Sequence, residues 1–228
     1  MTPLDPDVAP ASSLVAFALT RAGRLLLRCG APDHWHPAAG YTLIPCELPG
    51  AALPTGADLT EGIPRLASRL LGKEARVRSS AMVYGPSPTH RIDRLPSGGE
   101  RIAPLLRFAR LAPASAGDSA SDKAPREQIV RVYLVTLPPA LWFPTAPGMW
   151  LWLSEDGLRH AMRGLPFAEL LAMPQVEWRT PPATLLPSDA FAYAPSEYGE
   201  RHLLRILAKY GHAAVFQPDQ VQGDRPSG

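Results

Sequence analysis

Residues 48–73 read LPGAALPTGADLTEGIPRLASRLLGK, a Gly/Pro-rich run that feeds a short amphipathic segment. Ile63, Leu66, Ala67, Leu70 and Leu71 stand at the spacing that lines one face of a helix, so this face is expected to be core. Pro64 suits a first helical turn, where its missing N–H costs nothing, and Gly72 suits the left-handed position that closes a helix. The spacing therefore predicts a loop followed by a short helix over about 64–71. Asp58 and Glu61 also have the spacing of a capping box, which would start the helix earlier.

The same stretch resembles the Nudix box, whose pattern is G-x5-E-x7-R-E-U-x-E-E-x-G-U, with U an aliphatic residue. Pro49 and Gly50 stand at its Pro-Gly, Ala51 at its second glycine, Arg65 at its arginine and Gly72 at its closing glycine, without a gap. The four carboxylate positions hold Ala57, Leu66, Arg69 and Leu70 instead. In the family those carboxylates hold Mg²⁺ or Mn²⁺ against a diphosphate. Hard cations need several oxygen ligands on one rigid face, and Ala and Leu offer none. Arg69 would put positive charge where the metal sits.

Working outward, 14–19 reads as an apolar strand, 21–24 as a tight turn and 25–28 as a second strand, a hairpin like the one that opens Nudix domains. Between it and residue 41, Asp33, His34, Trp35 and His36 could be read as metal ligands, but they lack further ligands at a regular spacing, and a loop with an aromatic anchor fits better. Residues 41–47 read as a strand ending at Glu47. Beyond the helix, 75–84 reads as a strand and 89–94 as a polar segment, in which His90, Arg91 and Arg94 suit contact with a phosphate. Strands are expected over 102–111 and 128–137, joined across a flexible Ala/Ser/Asp/Pro-rich insertion at about 112–126.

Trp150 and Trp152 would share one face of a strand over 149–153, as core or as a stacking platform for a base. Ser154 should cap a helix over about 155–163, followed by a shorter one over 166–173. The run Val176-Glu177-Trp178 is similar to one found before the terminal helix of many Nudix domains. Ser196 is read as the cap of a last helix over about 197–210, with Leu203, Ile206, Leu207 and Tyr210 on one face.

Bulk properties bound the function. The 228 residues carry a net charge of +2 with 19% charged residues, which gives no whole-chain electrostatic case for nucleic acid or membrane binding. The 27 prolines are more than twice the usual share of about 5% and predict many rigid connections. Cys29 and Cys46 fit no metal motif; two thiols in a reducing cytosol or a single disulfide are both open. No signal peptide or bilayer-length apolar run is read, so a cytoplasmic protein is expected. The expected organisation is a disordered leader at 1–12, one domain over 13–211 and a mobile tail from 212.

Together these features predict an α/β/α sandwich with a mixed sheet, of the Nudix kind. The resemblance implies a binding or interaction module for a nucleotide-like ligand or a protein partner, working without a metal cofactor. Candidate ligand contacts are Arg65, Arg69, Glu47, Asp58, Glu61, Arg91 and Arg94. The alternative is a divergent pyrophosphohydrolase that recruits Mg²⁺ or Mn²⁺ through relocated carboxylates such as Glu47, Asp58, Glu61 or Glu177.

Overall fold

A computed structural model describes residues 13–54, 56–86, 92–97, 100–112, 126–181, 184–194 and 199–216. The leader, the interior of the 112–126 insertion, residues 217–228 of the tail expected from 212, and His90, Arg91 and Ser196 lie outside them.

The elements run β1 (Ser13–Arg21), β2 (Arg24–Cys29), β3 (His36–Ala38), β4 (Tyr41–Glu47), β5 (Gly50–Leu53) and α1 (Leu59–Leu71). Then come β6 (Arg76–Arg78), β7 (Met82–Pro86), β8 (Ile92–Pro96), β9 (Leu106–Ala112), β10 (Arg126–Thr136) and β11 (Met149–Leu153). Finally α2 (Glu155–Arg163), β12 (Leu165–Pro166), α3 (Phe167–Ala172), β13 (Glu177–Arg179), β14 (Ala190–Tyr193), α4 (Glu200–Tyr210) and α5 (His212–Phe216) complete the fold. The sheet is mixed, ordered β12-β14-β4-β2-β1-β10-β9-β7-β8, with β5 added to β1, β6 to β10 and β11 to β2. No helix among the described residues is long and apolar enough to cross a membrane.

β1 is the spine. It runs parallel to β10 from Ser13 opposite Ile129 to Leu19 opposite Val135, and antiparallel to β5 on its other side. Its side chains alternate between two apolar clusters, as the period-two geometry of a strand requires. Leu14, Ala16 and Ala18 join the cluster beneath α2, α3 and α4, while Val15, Phe17 and Leu19 join the one beneath α1. With both faces covered, the strand can be apolar throughout. This is the α/β/α layering read from the sequence.

The turn from β1 to β2 has two central residues, Ala22 and Gly23, both at positive φ (48° and 76°). Two-residue hairpins favour this geometry, and Asn-Gly suits it best. An L-alanine is disfavoured there. Ala22→Asn is therefore expected to stabilise the protein by about 0.5–1 kcal/mol, read as a rise in melting temperature of about 1–4 °C; an unchanged or lower midpoint would contradict the turn.

Several boundaries differ from the sequence reading. α1 begins at Leu59, not Pro64, because the Asp58 carboxylate accepts from Thr60 N at 2.8 Å and caps the helix. Pro64 thus lies inside it and deprives the Thr60 carbonyl of its partner. Part of the stretch read as loop before it is strand: Gly50–Leu53 adds to β1. The strand expected over 75–84 is two, since the chain leaves β10 after Arg78 and joins β8 and β9 from Met82. Ser79 and Ser80 fill the break, Ser79 Oγ accepting from Ala103 N and Ser80 Oγ donating to the Met82 carbonyl.

Residues 92–96 form β8, taking in the end of the polar segment read over 89–94. β9 starts at Leu106, after Pro104, which cannot donate to a ladder. It pairs antiparallel with β10 across the insertion, as expected. The last helix starts at Glu200, behind Gly199 at φ 98°, and a further turn, α5, follows Gly211. Trp150 and Trp152 are core, 0% and 2% exposed, their indole N–H groups donating to the Ala146 and Trp142 carbonyls. They offer no stacking face. Cys29 and Cys46 are free thiols, directly opposite on β2 and β4 with their Sγ atoms 3.3 Å apart. Burial pushes the Cys29 thiol well above its ordinary pKa.

Candidate functional site

α1 owes its position to its apolar face. Ile63, Leu66, Ala67 and Leu71 are buried against Val15, Phe17, Tyr133 and Trp150, and Leu70 packs against the same cluster. The opposite face is wet, with Arg65 donating to Glu61 at 2.7 Å across one turn. The helix ends at Gly72, whose φ of 105° disfavours any other residue. A Cβ there would also sit 1.9 Å from Thr145 Oγ1. The positive φ expected of a closing glycine is there, but its ψ of 158° takes Gly72 out of the left-handed helical well into a region essentially only glycine enters. Thr145 donates its hydroxyl to Glu74 at 2.8 Å, which holds that carboxyl below its usual range.

The four vacant carboxylate positions divide unequally. Leu66 is 3% exposed, and Ala57 and Leu70 pack against the α1 cluster. Arg69 is exposed. The residues that could replace the lost acids are engaged separately: Asp58 in the helix cap, Glu61 with Arg65, and Glu177 with Arg24. Glu47 ends β4 opposite Arg28. Among the described residues no three His, Cys, Asp or Glu side chains converge as a metal-binding group, and His34 meets Asp33 at 3.7 Å with both exposed. Trp35 is the anchor of that loop, donating to the Gly30 carbonyl at 2.8 Å. The donor set at these positions does not fit Mg²⁺ or Mn²⁺.

Beside the first turns of α1 lies an open cleft of about 330 Å³, bordered by Leu59, Thr60, Ile63, Tyr133 and a group of arginines. Arg107 on β9 and Arg131 on β10 face each other directly across the strand pair, and Arg101 joins them at the cleft wall. Like charges opposite one another in a sheet repel. Glu100, ion-paired with Arg107, is the one acid among the described lining residues, and Arg131 donates to Ser13 Oγ at 2.9 Å. Three guanidinium groups against one carboxylate make the cleft cationic. Tyr133 lies at its floor, 1% exposed, its hydroxyl pushed up to about 12 by burial, so it remains a hydrogen-bond donor.

Of the candidate ligand contacts named from the sequence, none that the structure describes lines this cleft. Arg65 and Arg69 are on the wet side of α1. Arg94 is on β8, in a separate pocket on the other face of the sheet, and Arg91 lies outside the described residues. The missed signal was in the strongest strand, QIVRVYLVT, where Arg131 interrupts an otherwise apolar alternation.

No family model matches the chain, and no curated protein matches it. The solved structures it is similar to include two at low identity. One is the E. coli ORF135 protein, 17% identical, with 65% of this chain and 78% of that chain covered at a TM-score of 0.37. The other is a NUDIX hydrolase from Nitrosomonas europaea, 15% identical, with 78% of this chain and 98% of that chain covered at a TM-score of 0.34. Likeness of this degree assigns neither family nor activity.

Proposed function

We propose that this chain is a Nudix-like binding protein that takes an anionic, nucleotide-like ligand without metal-dependent hydrolysis. The observation that carries the reading is the Arg107 and Arg131 pair. Two guanidinium groups held opposite each other at the wall of a cleft are relieved by an anion placed between them, and arginine forks match phosphate oxygens bidentately. The cleft's size falls within the range of about 300–1,000 Å³ usual for small-molecule sites, and Ile63, Ile102 and Tyr133 give it an apolar side for a base or sugar. The absence of hydrolysis is supported by the chemistry of the 48–73 stretch, whose carboxylate positions hold Ala57, the buried Leu66, the partly buried Leu70 and Arg69.

ADP titrated into the full chain in EDTA should bind saturably, with an affinity that falls as salt is raised. Arg131→Gln should weaken it about tenfold or more, since a hydrogen bond to a charged group is worth about 1.5–3 kcal/mol. Mg²⁺ or Mn²⁺ titrated alone should give no stoichiometric heat, and ADP-containing compounds should not turn over. Tight divalent binding with turnover would instead favour the hydrolase that uses Glu47, Asp58, Glu61 or Glu177. ADP binding indifferent to Arg131→Gln would remove the cleft as the site.

A further inference from the structure

On the face of the sheet away from α1, a small pocket of about 110 Å³ opens between the β6 to β7 break and α5. Its wall includes Arg78, Ser79, Ser80, Tyr84 and Arg94. Tyr84 and Arg94 stand directly opposite each other on β7 and β8, so their side chains leave the sheet on the same side. The Tyr84 ring lies against Tyr210, with centroids 5.3 Å apart. Tyr84 is 1% exposed, and its hydroxyl is buried without a hydrogen-bond partner among the described residues.

A buried hydroxyl with nothing to bond is unusual. The nearby serines are turned elsewhere, Ser80 Oγ donating to the Met82 carbonyl at 2.7 Å and Ser79 Oγ accepting from Ala103 N at 2.9 Å, and neither hydroxyl meets the Tyr84 oxygen. Burial raises the Tyr84 pKa, and the lesser opposing effect of Arg94 does not reverse it. The group therefore stays an O–H donor. Among the described residues Arg78 and Arg94 form no ion pair, and none of those lining the pocket is a carboxylate. Among the described residues the site offers donors and positive charge with no acid to neutralise them.

We propose that this pocket binds a tetrahedral oxyanion of the phosphate class, with Arg78 and Arg94 supplying charge-assisted hydrogen bonds and the Tyr84 hydroxyl a third donor. The pocket is too small for a nucleoside. It is also a different site from the cationic cleft, since Tyr84 and Leu134 belong to the cluster under α4 and Tyr133 and Ile63 to the one under α1.

The test is a titration of the full chain with inorganic phosphate, followed by calorimetry and by phosphorus NMR line width. One equivalent should bind to the pocket with a dissociation constant of about 1 mM or tighter, near 4 kcal/mol. Arg94→Gln and Arg78→Gln should each weaken this about tenfold, and Tyr84→Phe several-fold, while the far-UV spectra of all three stay unchanged. Arg131→Gln should leave it intact. Phenyl phosphate run in parallel distinguishes the two sources of the group: equal binding identifies the end of a larger molecule, and binding of inorganic phosphate alone identifies a free ion, each sensitive to Arg94→Gln. Absence of saturable binding overturns the proposal. So does binding that Arg131→Gln abolishes and Arg94→Gln spares, because it would place phosphate in the cleft beside α1.

Discussion

Leu66→Glu is expected to destabilise the protein by about 4 kcal/mol or more, combining the lost burial of a leucine with the cost of a carboxyl in an apolar site. The melting temperature should fall by roughly 10 °C. Leu66 is 3% exposed within the α1 cluster, and no described acid-binding group is there to receive a carboxylate. Burial would raise the folded-state pKa of the introduced carboxyl above its unfolded value. The folded state then holds the proton more tightly, so the variant should lose stability as pH rises from about 4 to 7 and regain some on acidification. Added Mg²⁺ should not restore it. A variant that melts near the wild-type midpoint, and gains stability from Mg²⁺, would show that this helix face is open to solvent and still able to carry the chemistry that residues 48–73 otherwise lack.

That result bears on how much of the molecule was readable beforehand. The apolar face of α1, the strands β1, β2, β4 and β10, and the Ser154 cap, which accepts from Gly157 N, all announce themselves through local periodicity or local hydrogen bonding. The layering follows from them. What escaped was decided by partners distant in sequence. β8 carries Asp93 and Arg94 on an exposed edge, so it lacks the apolar alternation that marks a half-buried strand. β5 is Gly-Ala-Ala-Leu, and pairing with β1, not propensity, makes it a strand. The same holds for the candidate site. Arg107 and Arg131 are 24 positions apart in the chain, separated by the insertion, and become one cationic pair only through the β9 and β10 register. The resemblance directed attention to α1 itself, whereas the charged cleft lies beside its first turns.

A second long-range contact is expected to matter more for stability than its position suggests. Glu200, the first residue of α4, is 0% exposed, and its Oε1 accepts from Leu48 N at 2.8 Å. A carboxylate suits the first turn of a helix, but this one also fixes the junction where the chain leaves β4 and turns into β5. The next step of that junction is Phe17 N donating to the Pro49 carbonyl at 2.9 Å. Leu48 is itself fully buried, so removing the acceptor strands its N–H away from water. Glu200→Ala should therefore cost about 2–4 kcal/mol, from the unsatisfied donor and the space left behind. Glu200→Gln keeps an oxygen in place and should lose clearly less. Urea midpoints read the difference in stability, and hydrogen exchange at the Leu48 amide locates it, with exchange accelerated in the alanine variant first. Equal losses in the two variants would mean that the charge of Glu200, not its acceptor oxygen, holds α4 to the start of the 48–73 stretch.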